Sequence, residues 1–157
     1  MPPVIRSLTS RDRGVVMDII RDTPEFEPME VPVAEEVLDA YLASPDEGYL
    51  ALVAEENGVI VGYVCFGDVP LTVAAWDIYW LVVQCGWRGH GVGRALLAKV
   101  EEKVIHMGGH LILIETSSKP NYRPTRRFYR NNGYCMASRI RDFYAPGDHR
   151  ITFTKVV

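Results

Sequence analysis

Lysine and arginine are absent from the whole stretch between Asp22 and Trp87, although it carries thirteen acidic residues. A segment with no base of its own suits a cationic partner and repels an anionic one. Cysteine is scarce as well. Cys65, Cys85 and Cys135 are an odd number at wide spacing, which excludes a disulfide framework, and without a CxxC or HxxxH pair no metal site is expected. Long apolar runs are also missing. The longest, Ile78 to Val83, is far below the roughly 20 residues that span a bilayer, and the N-terminal MPPVIRSLTS contains no apolar signal core. A cytoplasmic protein with no membrane partner is the expectation. A net charge of −3 argues against a nucleic-acid partner.

What is present is ordinary for one domain covering residues 1–157: 48% hydrophobic and 24% charged residues, enough to bury a core, with no internal repeat. A homodimer is compatible with this composition. Val4 to Leu8 reads as a first strand, followed by Thr9 or Ser10 as an N-cap and a helix with Val15, Ile19 and Ile20 on one face. Asp22 to Pro32, with three prolines and four carboxylates, reads as an acidic loop. A second helix is then expected, with Val33, Val37, Leu38 and Tyr41 on its inner face. Tyr49 to Ala54 and Val59 to Phe66 flank Asn57-Gly58, a hairpin signal. The apolar run from Leu71 to Gln84 leads into a glycine-rich turn and a helix with Val92, Leu96, Val100 and Val104 in register, ending at Gly108-Gly109. His110 to Thr116, Met136 to Asp142 and Ile151 to Val156 read as strands, and Thr125 to Asn131 as a short helix.

The turn itself is R-G-H-G-V-G, from Arg88 to Gly93. Glycines let a backbone approach an anion closely, and the first free N–H groups of the following helix point at it with the helix dipole behind them, so a phosphate is the expected ligand. Spacing excludes two familiar phosphate loops: a Walker loop needs Lys and Ser or Thr after Gly91, and a dinucleotide fingerprint needs Gly or Ala where Arg94 stands. Charge changes sign here. From Arg88 onward there are thirteen Lys and Arg against five acids. Such a layout suits an enzyme bringing an anionic cofactor to a basic substrate.

The stretch V-Q-C-G-W-R-G-H-G-V-G (Val83 to Gly93) closely resembles the acyl-CoA-binding motif of the GNAT superfamily of N-acetyltransferases, and F-Y-R-N-N-G-Y (Phe128 to Tyr134) resembles its C-terminal FYxxxGF/Y motif at the expected distance. The resemblance implies an α/β fold: a mixed, largely antiparallel sheet of about seven strands, splayed between strands 4 and 5, with about four helices. It implies acetyl-CoA as co-substrate and acetyl transfer to a primary amine by direct attack in a ternary complex. Acetylation of a protein N-terminus or lysine, or acyl-CoA sensing without catalysis, are the alternatives.

Residue by residue, the resemblance places the diphosphate of CoA on the backbone of Arg88, Gly89, His90, Gly91, Val92, Gly93 and Arg94, with Arg88 and Arg94 adding charge. Pantetheine is expected beside Leu81, Val82 and Val83, and an oxyanion contact from the N–H of Val82 or Val83. Cys85 stands where many members have Pro and reads as a packing residue. Many members also have a cofactor-contacting Asn seven residues before the motif tyrosine. Tyr122 occupies that place here and the Asn sits one earlier, at Asn121. Arg126, Arg127 and Arg130 either reach the CoA phosphates or form a solvated helix face, with Arg126 assigned to the cofactor. Tyr129 matches the tyrosine that lies near the CoA sulfur in many members and is assigned as general acid. The base is Asp77, acting through a water, or Glu115; the alternatives are that Asp77 only holds the substrate ammonium and that Glu115 is purely structural, paired with a nearby Arg. Glu25, Glu27 and Glu30 on the acidic loop are expected at the mouth of the acceptor site, forming a rim without a compensating base that favours a small cationic amine.

Overall fold

Asn57 and Gly58 adopt φ of 51° and 79°, the paired positive values of a two-residue hairpin turn, and join β2 (Leu50–Glu56) to β3 (Val59–Asp68). This hairpin is the start of one seven-stranded sheet in a computed structural model that describes residues 2–157. The other strands are β1 (Val4–Ser7), β4 (Ala75–Val83), β5 (Leu111–Ser117), β6 (Cys135–Ala145) and β7 (Asp148–Val156), in the order β1-β2-β3-β4-β5-β7-β6. Every neighbouring pair is antiparallel except β4–β5.

That parallel pair shapes the molecule. Its ladder runs from Ala75 opposite Leu111 to Ile78 opposite Ile114 and then stops. On the other side of β4 the register with β3 jumps from Phe66–Ile78 to Cys65–Trp80, leaving Tyr79 as the extra residue of a bulge. A bulge bends and twists its strand. Beyond it β4 pairs with β3 alone, and the sheet opens into a gap between β4 and β5.

Helices cover both faces. α3 (Val92–His106) and α4 (Arg123–Asn131) lie on one, where Leu96, Val100 and Val104 of α3 and Tyr129 of α4 pack on Val64, Phe66, Ile112 and Phe153. α1 (Arg13–Arg21) and α2 (Glu30–Ala43) lie on the other, with Ile20 and Leu38 against Val53, Tyr63 and Cys65. Full burial of each such aliphatic side chain contributes about 1.5–3 kcal/mol.

Two helix faces differ from the sequence expectation. In α1 the buried residues are Val16, Met17, Ile19 and Ile20, while Val15 is exposed, because Val15 sits about 100° round the helix from Val16. In α2 the inner face is Ala34, Leu38 and Tyr41, whose hydroxyl donates to Leu8 O at 2.9 Å, and Val33 is exposed. This helix also begins at Glu30, ahead of Pro32. A proline in the first turn costs nothing there, since its missing N–H has no helical acceptor in any case.

Candidate active site

The gap between β4 and β5 is bordered by backbone whose direction the register fixes. Gln84 N donates to Val61 O at 2.9 Å, so Val61–Gln84 is a hydrogen-bonded pair. Alternation along an antiparallel ladder then turns the N–H and C=O of Val82 toward Tyr63 on β3, and those of Leu81 and Val83 into the gap. Of the two amides that the sequence left open for an oxyanion, Val83 is the one aimed at the opening.

At the end of β4 the chain enters the glycine turn. Gly89 and Gly91 have φ of 79° and 82°, and a Cβ at either would meet nothing within 4 Å. Gly91 is the N-cap of α3, and Gly93 packs against the ring of Phe128. From Gly89 to Arg94 no backbone N–H finds an acceptor among the described residues; the first that does is Ala95, bonded to Gly91 O at 3.0 Å. Six amides are therefore left without a protein acceptor at the positive end of a fifteen-residue helix. Arg94 is exposed beside them. The Arg88 guanidinium turns elsewhere, donating to Glu25 Oε1 at 2.6 Å and Oε2 at 3.0 Å.

The opposite wall is built by β5 and α4. Tyr129 is 5% exposed, its ring lying 5.9 Å from Phe153 and 5.5 Å from Phe128. Its hydroxyl has no hydrogen-bond partner among the described residues, and burial pushes its pKa well above that of an ordinary tyrosine. Asp77 lies opposite Leu113 in the parallel ladder, which puts Glu115, two residues further on, on the same sheet face. Asp77 is half-buried. Desolvation, and secondarily the charge of Glu115, raise its pKa above the usual aspartate value. Glu115 is exposed and 3.6 Å from Arg150.

The acidic loop between α1 and α2 closes the cleft, and here the sequence expectation is corrected. The rim is not free of bases. Glu25 is engaged by Arg88, whose hydrogen bonds hold its carboxyl below the usual range, and Glu27 accepts from Lys119 Nζ at 2.7 Å. Both bases come from the basic half of the chain, folded across the gap. Glu30 has no ion pair among the described residues; its carboxylate caps the Glu27 N–H at 2.9 Å, and burial raises its pKa.

Together these elements enclose a cleft of about 1090 Å³. It brings Glu25, Glu27, Glu30, Asp77, Glu115 and Tyr129 to the same space as Leu81 to Val83 and the glycine turn. Three expected residues are not on its lining. His90 is exposed, with its ring 5.8 Å from that of Trp87, and Asn121 is exposed on the turn before α4. Arg126 spends one nitrogen on the carbonyls of Ser117 and Lys119, at 2.8 and 2.9 Å, and so braces the β5–α4 connection. Tyr122 and the Ser117–Asp148 hydrogen bond were not anticipated. Tyr122 donates to Glu25 O at 2.9 Å, and Asp148 reaches the cleft only through the β5–β7 pairing. No group of three or more His, Cys, Asp or Glu arranged to hold a metal is found among the described residues, nor any helix long and apolar enough to cross a membrane.

Residues 15–134 match the sequence model of the Acetyltransferase (GNAT) family. Over 116 residues, 66% of this chain and 68% of the other, the protein is 28% identical to the thialysine N-epsilon-acetyltransferase of Mus musculus. A crystal structure of a GNAT-family protein from Desulfovibrio desulfuricans superposes with a TM-score of 0.93 at 35% identity, covering 98% of both chains. An aminoglycoside 6'-N-acetyltransferase complexed with coenzyme A has the same fold, with a TM-score of 0.77 at 18% identity over 98% of this chain and 96% of that one.

Proposed function

Because the chain belongs to the Acetyltransferase (GNAT) family and is an acetyltransferase, we propose that it transfers the acetyl group of acetyl-CoA to a primary amine of a small cationic molecule, by direct attack in a ternary complex. One observation carries this reading: a single cleft joins the unbonded amides of Gly89 and of Gly91 to Arg94, a buried tyrosine whose hydroxyl has no partner, and a pair of carboxylates.

The turn fits a diphosphate. Its glycines hold a conformation that keeps side chains away from the amides, and the dipole of α3 favours negative charge there. Leu81 and Val83 offer free backbone groups to an extended pantetheine, in the manner of a strand added to an open edge. Acetyl-CoA supplies the activated thioester. The chain's own groups supply the rest: the Val83 N–H faces negative charge developing on the acyl oxygen, Tyr129 donates to the departing sulfur, and Asp77 either takes the amine's proton through a water or holds the ammonium in place. Glu115 raises the proton affinity of Asp77 and adds negative charge next to it. With Glu25 and Glu27 already paired, and Glu115 3.6 Å from Arg150, Asp77 and Glu30 are the carboxylates of this group left to favour a cationic acceptor.

A panel of amines assayed by CoA release tests the acceptor class. Diamines, polyamines and cationic amino-acid derivatives are expected to outperform neutral and acidic amines, with kcat/KM falling as salt rises. A preference for glutamate or aspartate would overturn the electrostatic reading.

Asp77→Asn separates the two roles open to this carboxylate. If it accepts the proton, the acidic limb of the kcat/KM profile, set above the ordinary aspartate range by burial, should flatten in the variant. If it only holds the ammonium, KM for the amine should rise with kcat and the profile little changed. Loss of folding is not expected. A carboxyl whose folded pKa is raised gives up stability as pH climbs from its unfolded pKa through the raised value, and an uncharged Asn has no such loss. A variant Tm at neutral pH equal to or above the parent's is therefore the expected control result.

A further inference from the structure

The loop between α1 and α2 is tied to both walls of the cleft. On the β4 side Glu25 takes two parallel hydrogen bonds from Arg88, at 2.6 and 3.0 Å. On the β5–α4 side Tyr122 donates to the Glu25 carbonyl at 2.9 Å, and Lys119 reaches Glu27 at 2.7 Å. Glu25 is thus held at both its carboxylate and its carbonyl. Arg88 is also the first residue of the turn whose amides, from Gly89 onward, are free. The cofactor's seat and the acceptor loop share one side chain.

The fork geometry decides how that side chain is used. The Glu25 side chain is only 15% exposed. If Arg88 swung to a phosphate, it would leave a poorly hydrated carboxylate unpaired beside Glu30 and Tyr122, which is unfavourable. The unbonded amides that line the cleft, at Gly89 and from Gly91 to Arg94, are left to meet the diphosphate without it.

We propose that Glu25 is a positioning residue for the amine acceptor, acting through Arg88: acetyl-CoA on the glycine turn fixes the Arg88 backbone, and the Arg88–Glu25 pair passes that order to the loop at residues 22–29. Arg88 on this reading is a coupling residue and not a phosphate ligand. The inference rests on the acetyl-CoA and amine reading above. Linkage makes the coupling reciprocal, so a bound amine strengthens acetyl-CoA binding by the factor with which acetyl-CoA strengthens the amine.

The test combines two readouts. Hydrogen exchange of residues 22–29 is followed with and without acetyl-CoA in the parent, Glu25→Ala, Arg88→Ala and the charge swap Glu25→Arg with Arg88→Glu. Protection on adding acetyl-CoA is expected in the parent, lost in both single variants and recovered in part by the swap. In parallel, each single variant should raise amine KM about tenfold while the Kd for acetyl-CoA by calorimetry stays within about twofold. The double Ala variant should match the singles, because two residues of one pair are not additive. Equal exchange in the parent with and without acetyl-CoA overturns the coupling. A tenfold loss of acetyl-CoA affinity in Arg88→Ala, with amine KM unmoved in Glu25→Ala, also overturns it by making Arg88 a phosphate ligand. Acetyl-CoA-dependent protection in a parent that acetylates no amine supports the coupling and overturns the acceptor reading instead.

Discussion

Gly91→Asp is expected to abolish acetyl-CoA binding while the fold stays intact. Gly91 has φ of 82° and nothing within 4 Å of a Cβ, and among non-glycine residues aspartate and asparagine tolerate the left-handed region best. The new carboxylate would stand at the N-cap of α3 in a left-handed conformation, which strains any side chain, so a modest loss of stability accompanies the substitution. What it does is place a fixed anion where the free amides await one. Two unit charges 4 Å apart near a protein surface interact by about 4 kcal/mol, and each 1.4 kcal/mol is tenfold in affinity, so a loss of about a thousandfold follows. Gly91→Asn has nearly the same shape without the charge and should retain much more affinity. Calorimetry in which the Asp variant binds acetyl-CoA as tightly as the parent, with an unchanged circular dichroism spectrum, would remove the turn from the cofactor site.

Tyr129→Phe should cut kcat by roughly ten- to a thousandfold and leave the Kd for acetyl-CoA nearly unchanged. The ring is held by Phe128, Tyr134 and Phe153, contacts that phenylalanine preserves, while the hydroxyl has no protein partner to lose. The substitution therefore removes one oxygen and little else. Burial pushes the phenol's pKa up and so favours its protonated form, which fits a donor. The same dry environment raises the proton affinity of a departing thiolate, so donor and acceptor are not far mismatched. Loss of a contact made only in the transition state appears in kcat and kcat/KM together, with no compensating fall in KM. An unchanged single-turnover rate would return Tyr129 to the core as a packing residue.

Much of this molecule was legible in the chain because it is decided within a few residues. Asn57-Gly58 selects its hairpin turn from the φ values those two residues accept, and the spacing of Val92, Leu96, Val100 and Val104 sets the buried face of α3 whatever lies opposite. The glycine turn is local in the same sense, since its open amides follow from glycine conformations and from the start of a helix. What the chain could not display is which charges meet. A stretch from Asp22 to Trp87 without Lys or Arg looked uncompensated, yet Glu25 finds Arg88 63 positions away and Glu27 finds Lys119 92 positions away. The parallel β4–β5 pairing put Glu115 next to Asp77, and one extra residue at Tyr79 ended that pairing and opened the gap. Turns and helix faces are properties of neighbouring residues along the backbone. Ion pairs, shared pKa shifts and the width of a cleft depend on which strands lie side by side, and only the assembled sheet decides that.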